Sequence, residues 1–203
     1  HVFWDQALFA LDPQAREALP RLVQRELTLP RAGAASTNIA DGAEAAGAAA
    51  GAERAERSEG AEGTEGTEAL REYVFKHHIL HQVTYHTVLK RTRRELHAKL
   101  ARWLSAQTGL RAADFLGVTA EHFEQAGDEA NAAEFHVRAA EHAYGRFAHD
   151  ATLSHARRAL DLLGPDTGAP ALRWRLLKVR ELTLDLQGRR AEQGAAIEAL
   201  ERL

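Results

Sequence analysis

Cysteine is absent from the 203-residue chain, which excludes disulfides and thiolate metal sites and suits a reducing cytoplasm. No stretch approaches the roughly 18 to 20 consecutive apolar residues that span a bilayer. The N-terminal His1-Val-Phe-Trp carries neither an initiator methionine nor the basic-then-apolar pattern of an export signal. A soluble, cytoplasmic protein without membrane contact is expected. Both ends read as cuts through a longer polypeptide, since "AEQGAAIEALERL" stops inside an amphipathic pattern without a glycine, asparagine or proline to end it. What the chain does have is 45% hydrophobic residues, ample for buried cores.

The net charge of −3 is unevenly spread: residues 1–31 are neutral, 32–70 carry −6, 71–109 carry +6 and 110–203 carry −3. An electrostatic partner should meet the basic block first. That block opens with "REYVFKHHILHQVTYHTVLKRTRRELH", residues 71–97, which holds five histidines and six basic side chains.

Residues 32–70 are mainly alanine, glycine and glutamate and bury too little area to offset chain entropy, so they read as a disordered insertion with a frayed helix around 43–57. Its flanks, "RELTLPR" (25–31) and "REYVFKH" (71–77), alternate apolar positions at Leu27 and Leu29 and at Tyr73 and Phe75. They predict the two strands of one hairpin, because lengthening its loop costs only about 0.6 kcal/mol per doubling. "DQALFALD" and "PQAREALPRLVQREL" predict helices ahead of it, with Asp12 as N-cap and Pro13 at the first helical position. Two helices and an expanded hairpin make a small winged-helix-like module over 1–109.

Beyond residue 78 the pattern is helical. Ile79, Leu80, Val83, Thr87 and Val88 share one face, and Leu89, Leu96, Leu100, Trp103 and Leu104 continue an apolar stripe. Helices are predicted at 113–126, 129–145, 149–163, 171–187 and 189–203, separated by the turn groups "AGD", "RFAHD", "GPDTGAP" and "QGR". Small residues recur at Ala139-Ala140, Ala159 and Ala199, which lets antiparallel helices stack closely into an α-solenoid. The fold class is mainly α, with tetratricopeptide-like hairpins over 110–203 whose consensus Trp, Leu-Gly and closing Pro are mostly missing.

Taken in order, "VFWD" (2–5), "RELTLPR", "EYVFKHHILHQVTYHTVLKRTRRELH" (72–97), "AEHFEQAGDEANAAEF" (120–135) and "RFAHDA" (146–151) resemble the region that follows the nucleotide-binding module in bacterial signalling ATPases of the AAA/STAND type. Those proteins carry adenylate or guanylate cyclase, protein kinase, or LuxR- or SARP-type DNA-binding domains. The resemblance implies a winged-helix-like module and tetratricopeptide-like repeats between an ATPase core and a partner-binding end. This chain has no G-x-x-x-x-G-K-[ST] loop and no paired acidic residues for magnesium, so ATP and magnesium are expected only in an upstream module.

Three chemistries can be weighed on the residues. His77 or His78 with His81 has the i, i+4 or i, i+3 spacing of two metal ligands, but His86 lies about 140° from His81 around the helix, and no acid stands between Glu72 and Glu95. The plainer reading places His78, His81 and Tyr85 as a polar flank beside an Ile79/Val83 core face. For DNA, Lys90, Arg91, Arg93 and Arg94 are basic, yet Arg91 matches Glu95, Glu95 matches Lys99, Arg93 aims at the apolar stripe, and residues 1–31 add no charge. For catalysis, His97 with Asp114 or Glu95, and His122 with Glu121 or Glu124, are the acid–base candidates, without a nucleophile motif beside them. Glu121 and Glu124 suit the solvated face of a helix that buries Phe115, Leu116, Val118 and Phe123. Phe135, Tyr144, Phe147 and Trp174 suit the core between helices rather than groove anchors.

The expectation is a non-catalytic regulatory segment. Lys90, Arg91 and Arg94 would pack on an upstream nucleotide-binding module, and the repeats would bind a protein or peptide. A DNA-binding winged-helix regulator and a free-standing repeat scaffold are the alternatives.

Overall fold

The computed structural model describes residues 2–31, 71–107, 112–164 and 169–203. The expected insertion at 32–70 and its helix at 43–57 lie outside these. Three short strands, β1 (Val2–Trp4), β2 (Thr28–Pro30) and β3 (Glu72–Phe75), form an antiparallel sheet in the order β1-β3-β2. The expected hairpin partners do pair, with Leu29 opposite Val74 and Thr28 opposite Phe75. Their facing differs from the alternation read on Leu27 and Leu29: Thr28 is the buried residue and Leu29 is exposed. The sequence reading missed β1, which pairs Phe3 with Tyr73 on the other edge of β3. Three residues are too few to show an alternation, and their partner lies some 70 positions away.

Between the strands run α1 (Asp5–Leu11) and α2 (Ala15–Gln24). Asp12 accepts the Gln14 amide proton at 2.9 Å, as a cap would. The helix itself begins at Ala15 rather than Pro13, because Pro13 and Gln14 form a turn. Helices α3 (His78–Thr87) and α4 (Lys90–Ser105) follow, then a 3-10 turn at Ala112–Phe115 and α5 (Leu116–Ala126), α6 (Glu129–Gly145), α7 (His149–Leu163), α8 (Pro170–Leu186) and α9 (Arg190–Glu201). The predicted repeat helices are therefore present, with ends shifted by a few residues, and each of α4 to α8 packs on the next. The result is a winged-helix-like module followed by a solenoid of helical hairpins. None of these helices is long and apolar enough to cross a membrane.

Turn chemistry explains the α5–α6 corner. Gly127 takes φ +81°, a left-handed conformation that only glycine adopts cheaply, and Asp128 caps α6 by accepting from the Asn131 amide at 3.2 Å. Small residues explain the seams. Ala101, Ala120 and Ala132 meet Phe123 and Phe135 across α4, α5 and α6, while Ala133, Ala156 and Ala159 meet Val137, Leu163 and Leu176 across α6, α7 and α8. Thr119, Thr152 and Thr183 are buried in three of the helices, each returning its hydroxyl to the carbonyl four residues back.

Two apolar faces are not where hydropathy put them. Ile79 is 73% and Val83 56% exposed, and Leu89 and Leu96 are exposed as well. Instead α3 turns His81 and Tyr85 inward, with the His81 ring 5.2 Å from Phe75. The rings offer more contact area to the aromatic sheet than the aliphatic face does. Phe147 and Trp174, expected in the core, are 78% and 52% exposed, whereas Phe135 is buried. Phe147 occupies the turn between α6 and α7 at φ +59°, outside both helices.

The alanine seams predict a specific sensitivity. Ala156→Leu should lower stability by about 1–3 kcal/mol through overpacking, read as a fall in melting temperature, whereas Ala151→Leu on the exposed side of the same helix should be near neutral.

Candidate functional site

The junction between sheet module and repeats holds a cavity of about 700 Å³, open to solvent on one side. Its apolar walls come from Phe3 and Trp4 of β1, Leu8 and Leu11 of α1, Phe75 of β3 and Leu100 of α4. The hairpin places Phe75 there by pairing it with buried Thr28, and the Phe3 ring lies tilted beside it with ring centroids 5.6 Å apart. One wall is polar. Tyr85 Oη lies 3.2 Å from His97 Nε2, and His97 Nδ1 lies 2.9 Å from His122 Nδ1, a chain that crosses from α3 through α4 to α5.

Burial lowers the pKa of both imidazoles, that of His122 to about 4, with His97 adding to the shift at His122 and Arg93 to that at His97. Arg93 itself lies over the Tyr85 ring, 4.6 Å from its centroid. A hydrogen bond between two Nδ1 atoms needs one donor and one acceptor, so at least one ring must be neutral.

A second cluster spans the next seam. Glu124 Oε1 and Oε2 accept from Arg158 Nε at 2.8 and 3.0 Å, and Oε1 lies 2.7 Å from His136 Nε2. The Arg158 hydrogen bond, helped by His136 and opposed by burial, holds the Glu124 carboxyl below the usual range. Because a carboxylate only accepts, His136 Nε2 must carry a proton; its Nδ1 then meets His155 Nδ1 at 3.1 Å. Gly117 leaves room for that ring, since a Cβ there would approach His155 Cε1 to 3.0 Å.

The acid–base candidates thus find other partners. His97 meets His122 and Tyr85; Glu95 pairs with Arg91 at 3.1 Å and Asp114 with Arg146 at 3.6 Å. Glu124 serves the second cluster rather than His122. No signal at short sequence range links His97 to His122 or His136 to His155, as the partners sit 25 and 19 residues apart on different helices. Among the described residues no three His, Asp or Glu side chains gather closely enough to hold a metal ion. Lys90, Arg91 and Arg94 are exposed at the first turn of α4, with Arg91 engaged by Glu95.

Compared with known proteins, the chain matches no family model, no curated protein and no solved structure.

Two predictions follow from these clusters. His97, His122 and His155 are all shifted downward in the folded chain, so between the unfolded value near 6.5 and the lowered folded values the unfolded state binds more protons. Stability should be full above about pH 6.5 and fall as pH drops toward 4; His122→Phe should flatten that slope in melting temperatures recorded across the range. Glu124→Gln should cost about 1–3 kcal/mol, since it weakens the acceptor that Arg158 and His136 share, while Glu121→Gln on the exposed side should leave the melting temperature unchanged.

Proposed function

We propose that the chain is a non-catalytic regulatory segment of a multidomain, ATP-binding signalling protein, coupling a nucleotide-binding module to a helical-repeat surface that binds a protein or peptide. The observation that carries this is the double role of α4. Its N-terminal turn exposes Lys90, Arg91 and Arg94, while further along Ala101 and Leu104 are fully packed, against α5 on one side and with α1 close on the other. A helix of 16 residues is about 24 Å long and behaves as a rigid rod. Displacement of its basic end by a docked acidic neighbour therefore tilts the seam with α5, the first contact of the solenoid.

The order of motifs that resembles the AAA/STAND ATPases supports the ATP-dependent, cytoplasmic setting, with a cyclase, kinase or DNA-binding effector elsewhere in the polypeptide. The stacked helices of α4 to α9 support partner binding, because such arrays present extended surfaces. The ATP and magnesium would belong to the upstream module.

Reversing Lys90, Arg91 and Arg94 to Glu in the full-length polypeptide tests the reading. Nucleotide-dependent output should be lost while each reversal changes stability by less than about 0.5 kcal/mol, as exposed charges allow. An unchanged nucleotide response would refute the coupling. Duplex affinity that falls steeply with salt and vanishes in the same variant would instead assign the basic turn to DNA.

A further inference from the structure

The cavity at the junction has the size and character of a small-molecule site: about 700 Å³, walls mostly of aromatic and aliphatic side chains, and polar groups gathered on one side. No Asp, Glu, Lys or Arg lines it. A charged ligand would lose hydration there without a wall-lining ion to replace it. The Arg93 guanidinium is seated on the Tyr85 ring. Flat rings suit the space between Phe3, Phe75 and Trp4, whose faces and edges favour offset or edge-on aromatic contacts.

The polar side supplies the second half of the recognition. In the chain Tyr85–His97–His122, both His97 nitrogens are engaged, and His122 uses Nδ1, so its Nε2 has no hydrogen-bond partner among the described residues. The protons can be arranged in two ways. Tyr85 donates to His97 Nε2, His97 Nδ1–H donates to His122 Nδ1, and His122 Nε2–H is left as a donor. In the reverse arrangement His122 donates through Nδ1, His97 donates through Nε2 to the Tyr85 oxygen, and His122 Nε2 is left as an acceptor. The cavity can thus meet a carbonyl or a hydroxyl by shifting protons along its own wall.

We propose that this cavity binds an uncharged, planar aromatic small molecule bearing one hydroxyl or carbonyl group, whose ring lies among Phe3, Trp4 and Phe75 and whose oxygen bonds His122 Nε2. The inference goes beyond the coupling role and does not depend on it, since it concerns the chain alone. A ligand held there touches the sheet, α1, α3, α4 and α5 together, and so favours one arrangement of the junction over others.

Equilibrium dialysis of the 203-residue chain at pH 7 against 2-naphthol, naphthalene and 2-naphthoate tests it. Saturable uptake of one 2-naphthol per chain is expected, with naphthalene and 2-naphthoate each about 10-fold weaker, the first for want of the hydrogen bond and the second for its charge. His122→Phe should weaken 2-naphthol by about 10-fold and leave naphthalene within about 2-fold; Leu100→Trp, which fills the cavity, should abolish uptake of both. Should Leu100→Trp melt the fold, His122→Phe decides. Absence of saturable 2-naphthol uptake, uptake indifferent to His122→Phe, or 2-naphthoate bound as tightly as 2-naphthol would overturn the proposal. Since no nucleotide or upstream module enters this measurement, its failure would leave the coupling role standing, and loss of the coupling role would leave the site standing.

Discussion

Alanine at the helix crossings sets how near the helices of this solenoid come to one another, and the polar pairs inside the seams depend on that nearness. Where Ala101, Ala120 and Ala132 face one another, and again where Ala133, Ala156 and Ala159 do, backbones approach without large side chains between them. Each alanine buries little area, so cohesion is the sum of many short contacts and tolerates little added volume. Imidazoles that share such seams are pressed together: His97 meets His122 at 2.9 Å, and His136 meets His155 at 3.1 Å. Neither pair can hold two protonated rings in that geometry, so close packing and neutral histidine are one condition expressed twice.

The two pairs are embedded differently, and the difference separates a structural role from a binding one. His136 is held by Glu124, which Arg158 anchors, and the Gly117 backbone leaves just the space the His155 ring needs. His136 there has a protein partner at each ring nitrogen, and the Glu124 carboxylate is matched by the Arg158 guanidinium. The His97–His122 pair borders the junction cavity instead, with the Tyr85 hydroxyl at one end and at the other His122, whose Nε2 has no hydrogen-bond partner among the described residues. A satisfied network rigidifies a core, whereas one with an open end has capacity to recognise something.

Much of the solenoid was legible because its information is local. Helical period, the Ala-Gly-Asp turn at 126–128 and recurring small residues each act within a few positions, so helix order and boundaries at α5 to α8 could be read directly. The β2–β3 pairing was legible because each flank is a short apolar-containing run, but its facing was not, since Thr28 rather than Leu29 is buried. What escaped was information held between distant segments. β1 acquires its strand character only from β3, and α3 chooses His81 and Tyr85 over Ile79 and Val83 because Phe75 stands opposite. Hydropathy ranks the aliphatic face first and has no term for the neighbour. The same limit hid the junction cavity, whose walls are drawn from eight elements spread between Phe3 and Gln125.

Those walls give α4 its particular position in the molecule. One side of the helix contributes His97 and Leu100 to the cavity, and Ala101 and Leu104 are buried a turn further on, where α4 meets α5. A single rigid rod is thus part of two cores, and neither can be repacked without moving a surface of the other. The Tyr85–His97–His122 chain ties the two by hydrogen bonds where packing alone would allow them to slide. With Lys90, Arg91 and Arg94 exposed at the near end of the same rod, a partner at the basic turn and a ligand in the cavity, as proposed, would act on one coordinate, the tilt of α4 against α5. Under the proposed coupling, that shared coordinate would be the physical route from the winged-helix-like module to the repeats.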